Sequence, residues 1–340
     1  RRPIDRSEDQ DIMGRHILKR ITSMAPVLFM ISVLSFSVIQ LPPGDFVDEY
    51  VQDQRNKGVK ISQETEQVWR DRYGVDDPVI EQYVDWIGDV VQGDLGVSLY
   101  RKQKVSKIIL DRLPFTVAIG VMSWLLLHAI ALPIGMISAT RQYSITDYFF
   151  QFVGFVAMGI PEFIMAVVIM WSMFKATGNV TVGALSPEYV GAPLSFGKLI
   201  DMASHLWVPA LIAAGGGTAG TIRILRANLL DEIGKPYVSV ARSKGLSKRR
   251  AIYKYPLRVA LNPFVVGTAG ILPALISGEL IISITLGIPT LAPVFLEALE
   301  MQDMQLAGSI VLVLSTLTIV GILLADILLA IVDPRIRGSV

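Results

Sequence analysis

LPFTVAIGVMSWLLLHAIALPIGMISAT, residues 113–140, runs for 28 residues without Asp, Glu, Lys or Arg. About 20 such residues cross the hydrocarbon core of a bilayer as a helix, the geometry that satisfies every backbone polar group within one segment. Working outward, residues 21–44 form a second charge-free run of 24 residues. Residues 148–174 are interrupted only by Glu162, and residues 259–296 only by Glu279. Residues 206–222 are short and glycine-rich, and 304–325 are followed by Asp326. The reading is an all-α membrane protein with six transmembrane helices. Composition agrees: the 340 residues are 18% charged and 52% hydrophobic, with mean hydropathy +0.51, against about 25% charge in soluble domains. The chain has no cysteine and three histidines. This excludes a disulfide framework, a thiolate nucleophile and a Cys-ligated metal, and disfavours a histidine-rich metal centre. His128, inside an apolar run, reads as a core residue.

The first run follows Arg15, His16, Lys19 and Arg20 but exceeds the 7–15 residues of a signal-peptide core, so it reads as a retained helix. The segments are a tail at 1–14, transmembrane helix 1 at 15–44, a cap segment at 45–112, a core of transmembrane helices 2–6 at 113–332 and a tail at 333–340. Residues 1–11 carry charge and little apolar surface, so they are expected to lack order. Lys and Arg bias in short loops sets orientation. Residues 223–258 carry ten basic and two acidic side chains, whereas 45–112 carry ten basic and fourteen acidic. With six spans, both termini and the basic loop fall on the cytoplasmic side, and 45–112 becomes a small extracytoplasmic insertion. Within it, 64–73 and 78–91 read as amphipathic helices, and Gly93-Asp94-Leu95-Gly96 as a turn.

No phosphate-cradling Gly-rich loop with lysine, no Gly-x-Ser-x-Gly elbow and no His-Glu-x-x-His occur, so hydrolase chemistry has no support. The run Gly215-Gly216-Gly217 lets helices approach closely; a hinge or a pore-lining break is the sharper alternative. Acids inside apolar runs face a cavity or a partner. Glu162 is either a satisfied interhelical contact or a lining of a path. Glu279 lies in the path or near the outer end of span five. Asp326, near the end of the last span, reads as structural, paired with a basic residue. In the basic loop, Pro236 suits a first helical turn, 237–243 a short helix, Gly245 its C-terminal cap and Ser247 the N-cap of a second helix. This helix, glycine turn and helix suit docking of a cytoplasmic partner. Nucleic-acid binding has no motif behind it.

Six stretches together resemble the permease subunits of bacterial ABC importers, in particular the first permease of the dipeptide/oligopeptide group. They are Leu41-Pro42-Pro43-Gly44-Asp45, Tyr73-Gly74-Val75-Asp76-Asp77-Pro78 and Gly93-Asp94-Leu95-Gly96-Val97-Ser98, then Arg112-Leu113-Pro114. The fifth is Ala241-Arg242-Ser243-Lys244-Gly245-Leu246-Ser247 with Ala260-Leu261-Asn262-Pro263 behind it, and the last is Asp333-Pro334-Arg335-Ile336-Arg337. The resemblance covers roughly residues 14 to 338 and implies a type I ABC importer permease-like fold.

It further implies a second homologous permease, two ATP-binding subunits below and an extracytoplasmic substrate-binding protein above, in the inner membrane. The chain itself would be non-catalytic and hold no cofactor, with ATP and Mg on the partner ATPases. Tyr237, Ala241, Arg242, Lys244, Gly245 and Leu246 would form the ATPase-coupling loop. Glu162, Glu279 and Ser283 are candidates for lining the pathway, and Asp326 and Pro263 for structural roles. Glu162 stands where serine is common in the group, Ser283 where glutamate is, and Ile288-Pro289-Thr290-Leu291-Ala292 replaces a Trp-Pro-Gly-Leu-Gly-like turn. These departures bear on the substrate. Peptides are the first reading; oligosaccharides, opines or nickel chelates are alternatives in the same class. An autonomous secondary transporter would need inverted repeats, and no convincing repeat relates the halves.

Overall fold

The computed structural model describes residues 6–40, 44–98, 100–178, 183–267, 280–301 and 303–332. Its described residues are helical apart from one two-stranded hairpin and connecting turns. The helices are α1 Arg6–Gln40, α2 Phe46–Asn56, α3 Gln63–Tyr73, α4 Val79–Val91, α5 Val105–Thr140, α6 Ile145–Gly159, α7 Glu162–Thr177, α8 Phe196–Ile233, α9 Pro236–Ser243, α10 Lys248–Lys254, α11 Pro256–Ala260, α12 Asn262–Gly267, α13 Leu280–Leu286, α14 Leu291–Glu300 and α15 Met304–Val332. The hairpin pairs β1 Val97–Ser98 with β2 Gln103–Lys104, Val97 opposite Lys104. The chain forms two compact units, residues 1–114 with 290–320, and 115–289 with 321–340.

Among the described residues, three helices are long and apolar enough to cross a membrane, Val105–Thr140, Phe196–Ile233 and Met304–Ile327, or up to five if each of two bent helix pairs is one span. The apolar part of α1 is Thr22–Val38. The expected span at 148–174 is not one rod. α6 and α7 meet at a bend of 100°, with Ile160 extended (φ −95°, ψ 120°) before Pro161. The proline ring bars the α conformation of the preceding residue and supplies no N–H. Glu162, which the charge pattern marks as the interruption, instead opens α7. The expected run 259–296 is likewise interrupted: α11, α12, α13 and α14 occupy it, and Glu279 lies outside the described residues. α8 exceeds its apolar run because it carries Lys198, Asp201, Arg223, Arg226, Asp231 and Glu232 within its own length. Residues 6–11, within the stretch 1–11 expected to lack order, form the first turns of α1; residues 1–5 lie outside the described residues.

In the first unit, Arg70 ties three carboxylates: Asp45 at 2.8 Å, Asp48 at 2.8 Å and Asp76 at 2.7 Å. The hydrogen bond from Arg70 holds the Asp76 carboxyl below the usual carboxylate range. A depressed carboxylate adds stability above its unperturbed value of 3.8 and loses it as pH falls. The nearby Tyr50–Trp69 ring pair, 5.4 Å apart, is therefore expected to loosen below about pH 4. Arg70→Met should produce the same change in Trp69 emission at neutral pH; an unchanged spectrum would refute the tie.

The Gly93–Ser98 motif has a packing reason. Gly96 has φ +76°, and a Cβ there would lie 2.7 Å from Gln305 Nε2, which donates to Leu95 O at 3.0 Å. Ser98 Oγ donates to the buried Asp303 carboxylate at 2.5 Å, and Arg101 pairs with Glu297. Burial pushes the Asp303 carboxyl up, partly offset by Ser98. The hairpin is thus stapled to α14 and the start of α15.

The second unit packs α8 against its neighbours. Its cluster of Ile119, Ala166, Leu206, Ile212, Ile282 and Leu286 draws on α5, α7, α8 and α13. The glycine run permits close approach and α8 continues through it as regular helix. A Cβ on Gly217 would meet Leu127 Cδ1 of α5 at 2.7 Å, and one on Gly215 would meet Met165 Cε of α7 at 3.6 Å. His128, read as a core residue, is part-buried: Nδ1 bonds Trp124 O at 2.9 Å. That carbonyl only accepts, so Nδ1 carries the proton.

Candidate functional site

The basic loop forms a defined element. α8 ends at Gly234, whose N–H reaches Leu230 O at 3.3 Å. Glu232, 8% exposed, accepts from Tyr237 Oη at 2.5 Å and from Lys235 Nζ. A carboxylate at a helix C-terminus opposes the dipole, and these two donors offset that cost. Burial, with the Glu232 carboxylate second, raises the Tyr237 hydroxyl well above its usual range, so it stays protonated and donates. The bond closes the corner between α8 and α9 from the inside.

Lys235 is extended (φ −73°, ψ 148°) and Pro236 occupies the first position of α9, where its missing N–H costs nothing. Val238 and Ala241 are buried, against Ala251 of α10 and Leu246. The C-terminus of α9 is a Schellman turn. Gly245 N–H reaches Arg242 O at 2.9 Å, and Leu246 N–H reaches Ala241 O at 3.3 Å. Gly245 holds φ +90°, the left-handed region where only glycine is unstrained. Leu246 supplies the apolar contact that accompanies such turns. Ser247 has N-cap geometry, but its hydroxyl makes no capping bond; its carbonyl accepts from Ala251 N at 2.9 Å instead. Below, Leu225 and Leu229 of α8 pack with Ile252, Ala260 and Ala139, which seats α10 and α11 on α8.

The six expected loop residues thus lie along α9 and its C-terminal turn. Ala241 faces inward with Leu246 partly covered, while Arg242, Lys244 and Gly245 are exposed. Tyr237 (37% exposed) and Val240 (54%) add apolar surface beside them. Sequence reading missed Glu232 and Val240. The i, i+3 spacing of Glu232 and Lys235 was the available signal for the former.

The intramembrane candidates are dispersed. Glu162 is half-buried in the first turn of α7, and its Oε1 lies 3.3 Å from where a Cβ on Gly216 would stand. The side-chain-free face of Gly216 makes room for the carboxylate. Ser283 is 1% exposed on α13, and its carbonyl accepts from Ile288 N at 2.8 Å. Asp326 sits half-buried on α15, and Pro263 is exposed as the second residue of α12. Two cavities in this unit measure about 10 Å³ each, room for roughly one water.

A further anchor went unread in the sequence. Asp147, 0% exposed, accepts two bonds from Arg226: Nε to Oδ1 at 3.0 Å and Nη2 to Oδ2 at 2.8 Å. Tyr143 N–H (3.0 Å) and Gln151 Nε2 (2.9 Å) complete its shell. The pair locks the start of α6 to α8 one and a half turns before Glu232.

Residues 131–338 match the model of the binding-protein-dependent transport system inner membrane component family, and residues 13–120 match that family's N-terminal model. The chain is 33% identical to the oligopeptide transport system permease protein AppB of Bacillus subtilis, over 96% of this chain and 100% of that protein. It is 28% identical to the dipeptide transport system permease protein DppB of Escherichia coli K12, over 96% and 99%. It is 26% identical to DppB of Lactococcus lactis, over 96% and 100%. A family match over more than half of the chain, joined to end-to-end similarity, places this multi-pass helical protein among the binding-protein-dependent transport system inner membrane components.

Proposed function

We propose that this chain is the membrane subunit of an ATP-driven importer and forms, with a second permease, the translocation pathway for di- or oligopeptides. End-to-end similarity to relatives named as oligopeptide and dipeptide permeases carries the reading. The chain is non-catalytic. ATP and Mg bind partner ATPases, and an extracytoplasmic binding protein delivers the substrate. Both termini and α9 face the cytoplasm, and residues 45–112 face outward. The path is completed against the second permease.

In this reading α9 docks on an ATPase through Tyr237, Val240, Arg242 and Lys244. Its two ends are held, by Glu232 at the start and by the Gly245 turn at the finish, so a displacement of the ATPase reaches α8 without being absorbed locally. Coupling requires that ATP and substrate each favour one arrangement over another.

A mild-detergent pull-down of the tagged chain from its native membrane tests this. A second permease and Walker-motif ATPases should accompany it; the chain recovered alone, stable in the same detergent, would overturn the reading. Glu162 is assigned to the pathway as the group facing a cationic peptide amine. Glu162→Gln is expected to lower peptide uptake and peptide-stimulated ATP hydrolysis several-fold, measured in proteoliposomes. Unchanged values would remove Glu162 from the path.

A further inference from the structure

α4 carries three faces. Tyr83, Trp86 and Val90 pack inward, around Phe36 of α1 and Leu312 of α15. Tyr83 Oη is 2.8 Å from Ser32 Oγ, its ring is 5.4 Å from Phe36, and Trp86 is 5.6 Å from Phe36. Glu81, Asp85 and Asp89, each four residues apart, form an exposed acidic stripe. The remaining arc holds Ile80 at 77% exposure, Val84 at 57% and Val91 at 82%. At 100° per residue these three fall together, next to the packed face and away from the acids.

Depth tells what covers that arc. Phe36 lies within one turn of the end of the apolar stretch Thr22–Val38 of α1. Leu312 lies inside the candidate span Met304–Ile327, eight residues or about 12 Å along the helix from Met304. Around the same part of α1, Phe29 (61%), Met30 (62%) and Leu34 (61%) are exposed on a membrane helix. The arc and these α1 residues thus both leave apolar surface open beside an apolar helix. Tyr83 and Trp86, packed beside the end of that apolar stretch, are the amphipathic aromatics that favour the boundary between acyl chains and headgroups.

We propose that α4 is an interfacial membrane helix, with Ile80, Val84 and Val91 inserted among lipid acyl chains and Glu81, Asp85 and Asp89 in water. Segment 45–112 is then in part a membrane element rather than wholly a cap above it. Interfacial helices with basic polar faces are drawn to anionic lipid. Here the face is acidic, so apolar burial and the tie to α1 must hold the helix.

The natural absence of cysteine permits single labels without background. Ile80→Cys, Val84→Cys, Val91→Cys, Glu81→Cys, Asp85→Cys and Asp89→Cys would each carry a nitroxide in the chain purified with its accompanying subunits. The samples would be those that elute like the unlabelled complex, reconstituted in phosphatidylethanolamine/phosphatidylglycerol vesicles. The ratio of collision with molecular oxygen to collision with a water-soluble nickel chelate is expected to be several-fold higher at 80, 84 and 91 than at 81, 85 and 89. High nickel accessibility at 80, 84 and 91 would place the arc in water and overturn the proposal. Low accessibility to both probes there would mean that a protein surface covers it, and would overturn it equally. Neither result bears on the peptide-import reading.

Discussion

Asp147→Ala is expected to destabilise the chain by about 3–5 kcal/mol, the range for removing one partner of a buried ion pair. The size follows from what is left behind. Arg226, its side chain 18% exposed, would keep a guanidinium between helices with no carboxylate to receive Nε and Nη2. Tyr143 N–H and Gln151 Nε2 would lose their acceptor too. The N-cap bond from the residue-147 backbone N–H to Ser144 Oγ at 3.2 Å survives in alanine, so the loss is confined to the bonds that the carboxylate accepts. The measurement is thermal melting in detergent followed by tryptophan emission. Arg226→Met should be milder alone, and Asp147→Ala with Arg226→Met should recover part of the loss, because the stranded charge is gone. A double variant as unstable as the sum of the singles would show that the pair acts as two independent side chains.

Gly245→Val is expected to leave the protein assembled and to abolish most transport. A Cβ at Gly245 would meet nothing within 4 Å, so space is not the obstacle. The obstacle is φ +90°, which a β-branched residue adopts only at a cost of about 1–3 kcal/mol. That energy shifts the population of the formed turn by about 5- to 150-fold. Loss of the turn frees Leu246 from Ala241 and Val238, and α9 no longer holds a fixed direction from α10. Peptide uptake and peptide-stimulated ATP hydrolysis in proteoliposomes should fall together, with co-purification of subunits retained. Gly245→Asn is the discriminating control, since Asn tolerates the left-handed region; it should keep much of the activity. Normal transport by the valine variant, or equal loss in both variants, would refute this account of the turn.

The geometry of the loop at 235–247 was legible in the sequence because its causes are local. Pro236 specifies a first turn, and Gly245 followed by Leu246 specifies a left-handed stop within five residues of Ala241. α3 and α4 were legible for the same reason: amphipathic spacing of Trp69, Tyr83 and Trp86 needs no distant information. The kink before Glu162 was half-legible. The apolar run concealed it, and Pro161 contained it; charge was read as the interruption where backbone chemistry made the break. α8 was under-read because a criterion of charge-free length cannot see that Arg226 is neutralised by Asp147, 79 residues away, and Glu232 by Lys235 just beyond the helix.

What the residues determined by themselves is the class: a helical membrane chain, its apolar stretches, its turn chemistry and the family that its motifs resemble. Each depends on hydropathy or on dihedral preference over a few positions. Only the tertiary structure decided which charges are paired and which faces remain open. Ser98 meets Asp303 across 205 residues, and Asp147 meets Arg226 across 79. Closing such loops is governed by the packing of whole helices, to which the two partners contribute little, so no local pattern announces them. The same holds for α4: its acidic stripe and its apolar arc are visible in the sequence, but only its contact with Phe36 and Leu312 sets the depth at which that arc meets lipid.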